Sequence, residues 1–401
     1  MMRSPQLNLW IAVAFCGAVG LYDTLYVVFL LTGGPKIGLG QWVLFPDFLG
    51  PHLAVRAYFE GKLALVYDMD AFTRLLNTVY AKRFPFPVDL RPFVYPPVWL
   101  LMLLPFGLLA VDWACFIFLT STAAAAIAVL ASRRDSWTWL AVMTSPAAVW
   151  VVVSGQNTFL SVALLYGGLR ILDRSPAIAG ILLGLLVYKP QIWVLVPLAL
   201  LAARQWRALA WAAGTVAALS LASLGVFGLD CWLGFLEMTR EPSSTRIFEH
   251  MFRVFFPFTT TPYFAVRILG LPAGLATAVQ FAGAALGVAA VWFAFRRYPS
   301  SDARTAVLVA AMFLVSPYIL NYDLLLLMPA AIALYRRGAA EGFYPMEQLV
   351  YPALWVIPTV GMTLNRHALP IIPLIVVLFG VIAWTRLRTE NRAVGEALLQ
   401  P

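Results

Sequence analysis

The stretch GILLGLLVYKPQIWVLVPLALLAA, Gly180–Ala203, holds 23 uncharged residues and one lysine. An ammonium at the middle of a bilayer-length apolar run costs several kcal/mol, from roughly 3 to well above 10. Lys189 therefore needs either a counter-ion or a wet surrounding. Pro190, immediately after it, removes a backbone donor and disfavours helix at the residue before it. Two readings follow. In one, a single kinked helix crosses the membrane. In the other, a hairpin goes out and returns, with YKPQ at its tip.

The rest of the chain weighs on that choice. Of 401 residues, 62% are hydrophobic and 12% charged, against about 45–50% and about 25% in soluble domains. The apolar runs are long and lack the alternation of barrel strands, so the chain reads as an all-α polytopic membrane protein. The runs fall at about 9–31, 95–110, 113–131, 137–153, 157–172, 177–203, 208–228, 272–295, 304–320, 323–335, 345–362 and 369–385. The first follows a basic start, as in a signal peptide, but its apolar part is too long for a signal core and reads as a retained helix. Arginine clusters punctuate the runs: Arg133-Arg134, Arg170 with Arg174, Arg204 with Arg207, Arg296-Arg297 with Arg304, Arg336-Arg337, and Arg386 with Arg388. With all of them on the cytoplasmic side, the chain must go out and return between neighbouring clusters. That favours the hairpin at 177–203. It also turns the 137–172 pair outside at SGQNT and the 304–335 pair outside at SPYILNYD, and leaves 95–110 as a re-entrant or surface-dipping segment. The expected architecture is one integral-membrane domain over residues 1–401, with about 12 spans and both termini in the cytoplasm. Two large outer loops, 32–94 and 229–271, complete it. In the first, Phe72, Leu75, Leu76 and Val79 recur at helical spacing while Arg74, Asn77 and Lys82 turn away, the pattern of an interfacial helix. GPHLAVRAYFEGK reads as a weaker second one.

Some chemistries are excluded. The three cysteines and three histidines are scattered, without metal-ligand spacing, and GGPKIGLG at 33–40 lacks the order of a phosphate-binding loop. No cofactor or nucleic-acid partner is expected, and the sequence leaves a divalent metal open. The candidate residues gather on the outer side. Asp47, between Phe45-Pro46 and Phe48, is a partly dehydrated carboxylate suited to take a proton from a hydroxyl; as a helix N-cap it has an ordinary role. Lys189 at a hairpin tip, flanked by Tyr188 and Gln191, suits a lipid phosphate; a snorkelling lysine is the plain alternative. Gln156 and Asn157 in SGQNT suit sugar hydroxyls or helix caps. Asn321, Tyr322 and Asp323 share that side, with Asp323 again a possible cap. Tyr67 and Asp68 close the first interfacial segment, and Arg240 and Arg253 in the second outer loop suit a phosphate clamp. Asp23, inside the first run, has no partner visible in the sequence.

These motifs resemble, in order and spacing, glycosyltransferase family 87: PDFLGPHLAVRAYFEGKLALVYD, FVYPPVWLLMLLPFGLL, GQNTFLSVALLYGGLRILDRSPAIAGILLGLLVYKPQ and SPYILNYDLLLLMPA. Where many relatives carry aspartate-tyrosine-aspartate, this chain has Asn321-Tyr322-Asp323. The resemblance implies a GT-C-like bundle in a bacterial inner membrane, its active site facing the periplasm. It further implies inverting transfer of a sugar, mannose foremost, from a polyprenyl-phosphate donor to a glycan or glycolipid acceptor, with Asp47 as base. A flippase or transporter of lipid-linked sugars is the rival reading; the internal repeat with paired broken helices that transporters commonly show is not evident.

Overall fold

A computed structural model describes residue 20 and residues 45–83, 87–131, 137–240 and 243–399. The expected first span with Asp23, the 33–40 stretch and Arg133-Arg134 lie outside these residues, Gly20 excepted. Among the described residues no strand is formed, and the one isolated bridge pairs Thr259 with Leu320. The helices are α1 (Pro46–Phe59), α2 (Met69–Val79), α3 (Pro97–Leu103), α4 (Val111–Leu130), α5 (Trp137–Met143), α6 (Pro146–Ser154) and α7 (Thr158–Ile171). They continue with α8 (Pro176–Leu185), α9 (Pro190–Trp193), α10 (Leu195–Ala202), α11 (Trp206–Met238) and α12 (Ser243–Phe255). The last are α13 (Pro262–Ile268), α14 (Ala273–Arg297), α15 (Asp302–Val315), α16 (Met328–Glu341), α17 (Glu347–Arg366) and α18 (Ile372–Leu399).

Four helical stretches, Val111–Leu130, Trp206–Met238, Ala273–Arg297 and Ile372–Thr389, are long and apolar enough to cross a bilayer. Their outer faces stay apolar: Trp206, Leu221 and Leu229 on α11 and Phe281 and Leu286 on α14 are well exposed, as a lipid-facing surface requires. The chain is an all-helical membrane protein.

The 177–203 stretch is a hairpin. A Cβ on Gly180 has no room against the Ala208 carbonyl, and one on Gly184 would come within 2.8 Å of the Ala212 carbonyl oxygen. Higher numbers on α8 thus meet higher numbers on α11, so the two helices run in the same direction, with small residues four apart letting the backbones approach. Only residues 203–205 join α10 to α11, so α9 and α10 must run the opposite way. Each arm, Pro176–Tyr188 and Pro190–Ala202, is about 20 Å long at 1.5 Å per residue, short of the roughly 30 Å of hydrocarbon. Lys189 at the tip therefore ends inside the bundle.

The segment expected as the first outer loop is more embedded than its pattern predicts. Helix α1 buries every residue from Phe48 to Val55, so it packs into the bundle instead of lying on a surface. Helix α2 is amphipathic as expected, with Phe72 and Leu76 fully buried. Two of its positions differ from the periodic reading: Val79 is exposed, and Asn77 turns inward to bond Val88 in both directions, Nδ2 to O and Oδ1 from N, each at 2.9 Å. A helical wheel assigns amides to solvent and cannot see an 11-residue partner. The 95–110 run forms only α3 and a 3-10 turn, Leu104–Leu108. The segment expected as the second outer loop is helical throughout much of its length, as the end of α11, α12 and α13.

Candidate active site

Two turns bring the site together. Gly155, in the left-handed conformation (φ 72°), ends α6 and lies so close to α1 that a Cβ would sit 2.9 Å from those of Phe45 and Phe48. Phe45, itself left-handed at φ 59°, precedes α1, and its N–H donates to the Val153 carbonyl at 2.9 Å. The start of α1 is thereby docked on the end of α6, and Asp47 meets Gln156.

Asp47 is not a cap. Its Oδ1 pairs with Arg91 and its Oδ2 accepts from Gln156 Nε2 at 2.8 Å. A carboxylate only accepts, so the Gln156 amide nitrogen must face it. The same nitrogen donates to the Tyr322 hydroxyl at 2.9 Å, and the Tyr95 hydroxyl donates to Gln156 Oε1 at 3.3 Å. Asn157 Nδ2 donates to that Tyr95 hydroxyl at 3.1 Å, while Lys189 Nζ donates to Asn157 Oδ1 at 3.1 Å. Lys189 ends the chain of bonds in Asp323, at 2.6 Å, whose Oδ1 also accepts from Thr158 at 2.7 Å. The network therefore runs unbroken from Asp47 to Asp323, and Asp323, like Asp47, is engaged across the fold instead of capping a helix.

A cavity of about 340 Å³ opens beside this network. Asp47, Arg91, Gln156, Lys189, Gln191, Tyr322 and Asp323 form its polar side, and Met238, Ile247, Phe248 and Met251 its apolar wall. Tyr188 stands behind it, stacked on Trp99 with centroids 4.4 Å apart and bonded to Ser161 at 2.8 Å and the Asn157 carbonyl at 3.2 Å. Asn321 is also behind, its Nδ2 donating to the Pro358 carbonyl at 3.1 Å.

Other sequence candidates lie elsewhere. Asp68 caps α2, accepting from the N–H groups of Asp70 and Ala71 at 3.1 and 2.8 Å. Tyr67 supports the site indirectly by donating to the Tyr95 carbonyl at 2.8 Å. Arg240 is exposed beside Glu237 at 3.8 Å, and Arg253 is exposed; neither lines the cavity. Position within a loop does not tell which way these residues point.

Arg91 is the residue that the sequence reading missed. It sits in an irregular segment held by the Asn77–Val88 bonds and by its own N–H donating to Thr73 Oγ1 at 3.0 Å. Its guanidinium lies 5.8 Å from the Phe255 ring centre. A weak signal existed: an arginine amid prolines and aromatics, distant from the clusters that mark the other end of the bundle. His250, also on the cavity, is held below the usual histidine range by burial and by nearby Arg253, which leaves it neutral near pH 7.

The sequence model of glycosyltransferase family 87 matches residues 93–317, more than half of the chain. The protein belongs to glycosyltransferase family 87. Membership makes it a glycosyltransferase and sets aside the transporter reading. Gln156, Asn157 and Lys189 fall inside the matched region, whereas Asp47, Arg91 and Asp323 fall outside it. No curated protein and no solved structure matches the chain.

Proposed function

We propose that this glycosyltransferase moves a sugar, mannose foremost, from a polyprenyl-phosphate donor to a glycan or glycolipid acceptor. The reaction inverts the anomeric centre at the outer face of a bacterial inner membrane, in a bundle of about twelve spans. Asp47 is the base: one carboxylate oxygen takes the acceptor hydroxyl proton as that oxygen attacks the anomeric carbon. The bond from that carbon to the phosphate oxygen breaks, and the lipid phosphate leaves from the opposite face. Lys189 and Arg91 supply positive charge on the departing phosphate's side, the kind of aid that often dominates such reactions. Gln156, Gln191, Tyr322 and Asp323 bind sugar hydroxyls, backed by Asn157, Asn321 and Tyr188, while the apolar wall of α11 and α12 takes the lipid. No cofactor enters the reaction. The supporting observation is Asp47 itself, a carboxylate open to the cavity and oriented by a glutamine whose own bonds are all satisfied.

The test is sugar transfer by the lipid-reconstituted protein from a panel of radiolabelled polyprenyl-phosphate sugars. Transfer is expected from one donor, falling by about 10²–10⁴ in Asp47→Asn, the usual contribution of a general base. Undiminished transfer in the variant would remove Asp47 from the role, and transfer from none of the donors would sink the donor class.

A further inference from the structure

Both oxygens of Asp47 are occupied, one by Arg91 and one by Gln156. Each oxygen keeps a further lone pair, but the carboxylate's charge is shared with a cation, and it serves an acceptor hydroxyl best when that partner lets go. Gln156 is nearly buried and fixed by Asp47, Tyr322 and Tyr95 together. Arg91 keeps 18% of its side chain exposed and touches the carboxylate through one nitrogen of a group that has five N–H donors. Of the two, Arg91 is the one free to move.

The cavity's other cations are less available for a direct bond to an incoming phosphate, although Lys189 still lends its charge. Lys189 is only 2% exposed and engaged by Asp323 and Asn157, with the Tyr322 ring 5.5 Å from its nitrogen. His250 carries no charge near neutral pH. Arg91 remains, and a planar guanidinium meets a phosphate well, through paired bonds.

We infer that the donor opens the Arg91–Asp47 pair: the guanidinium passes from the carboxylate to the donor's phosphate, and Asp47 is released to the acceptor hydroxyl. The base is relieved of its cation as the leaving group comes into place. This rests on the donor reading above. It carries a signature that a fixed pair lacks: carboxylate and phosphate compete for one guanidinium, so the tighter phosphate binding that follows removal of the Asp47 charge depends on Arg91, while transfer is abolished.

The experiment is native mass spectrometry of the full chain in nanodiscs, titrated with undecaprenyl phosphate and, as neutral control, undecaprenol. Asp47→Asn is expected to bind the phosphate about tenfold tighter than wild type, a common size for coupling between competing contacts. Arg91→Gln is expected to bind it about tenfold more weakly, and adding Asp47→Asn to Arg91→Gln is expected to restore nothing, again within the usual range of such coupling. Should Arg91→Gln fail to fold, Arg91→Lys serves: it keeps the charge, binds with intermediate affinity and is still tightened by Asp47→Asn. A wild type that prefers the phosphate, with Asp47→Asn binding it no tighter, would overturn the exchange and leave the donor reading standing. A wild type that binds phosphate and alcohol alike would overturn both.

Discussion

Lys189–Asp323 and Arg91–Asp47 border the same cavity, but they are built differently. On the floor, Lys189 and Asp323 are each 2% exposed, Asn157 accepts a further bond from the lysine and Thr158 donates one to the aspartate. At the rim, Arg91 and Asp47 are 18% and 19% exposed, and the arginine comes from an irregular segment. A third pair, Arg246–Asp70, joins α12 to α2 through two bonds at 2.8 and 2.6 Å, with side chains 47% and 51% exposed. Desolvation grades these pairs. The floor pair is a fixture, since separating it strands a charge in a dry interior. The rim pair is wet enough to exchange partners, and the surface pair is cheap to lose.

That gradient can be broken at each level. Lys189→Met leaves Asp323 buried without its partner and should cost about 3–5 kcal/mol of stability, read as a fall in detergent melting temperature. The double variant Lys189→Met with Asp323→Leu should recover most of that stability but not transfer, which would separate holding the floor from chemistry. If the single variant melts like wild type, the floor is not a fixture.

The rim rests on α1, and α1 rests on His52. Nε2 of His52 donates to the Leu109 carbonyl at 3.0 Å, so Nδ1 accepts from the Tyr80 hydroxyl at 2.7 Å, which fixes the neutral tautomer. Burial, aided by Arg56, holds His52 below its ordinary value of 6.5. Below that value the unfolded chain takes up a proton that the folded one refuses. Stability is therefore fully present above about pH 6.5 and is lost as pH falls through the folded value. Melting temperature should drop on acidification below pH 6.5, and His52→Gln should flatten that slope. A slope unchanged in the variant would assign it to other groups.

The smallest effect belongs to the surface pair. Arg246→Ala should change stability by less than about 1 kcal/mol and vanish into the noise at high salt. A larger loss would mean that the tie between α2 and α12 matters beyond its charge.

How much of this was legible in the sequence follows the same gradient. Lys189 advertised itself, because a charge in an apolar run has few explanations, and the positive-inside argument made the hairpin that the Gly180–Ala208 and Gly184–Ala212 contacts bear out. SGQNT and SPYILNYD stood out as polar tips between apolar runs. What could not be read was direction. Asp47 and Asp68 look alike as helix-start aspartates, yet one faces a cavity and the other caps α2. Arg91 and Tyr95 lie in a stretch without periodicity, placed by Asn77, Thr73 and Tyr67 through contacts that no local pattern encodes. Lys189's in-chain partner, Asp323, reads in the sequence as a sugar ligand or a helix cap, since pairing across the fold leaves no local trace.

The floor pair spans 134 positions of chain. At about 5–20 residues per second of synthesis, Lys189 emerges on the order of ten seconds before Asp323 exists. During that interval the hairpin arms, too short to reach across the hydrocarbon, carry a naked ammonium at their tip. The nascent protein must keep that tip in contact with water or with the insertion machinery, and its last helices can settle only after the carboxylate arrives to discharge it.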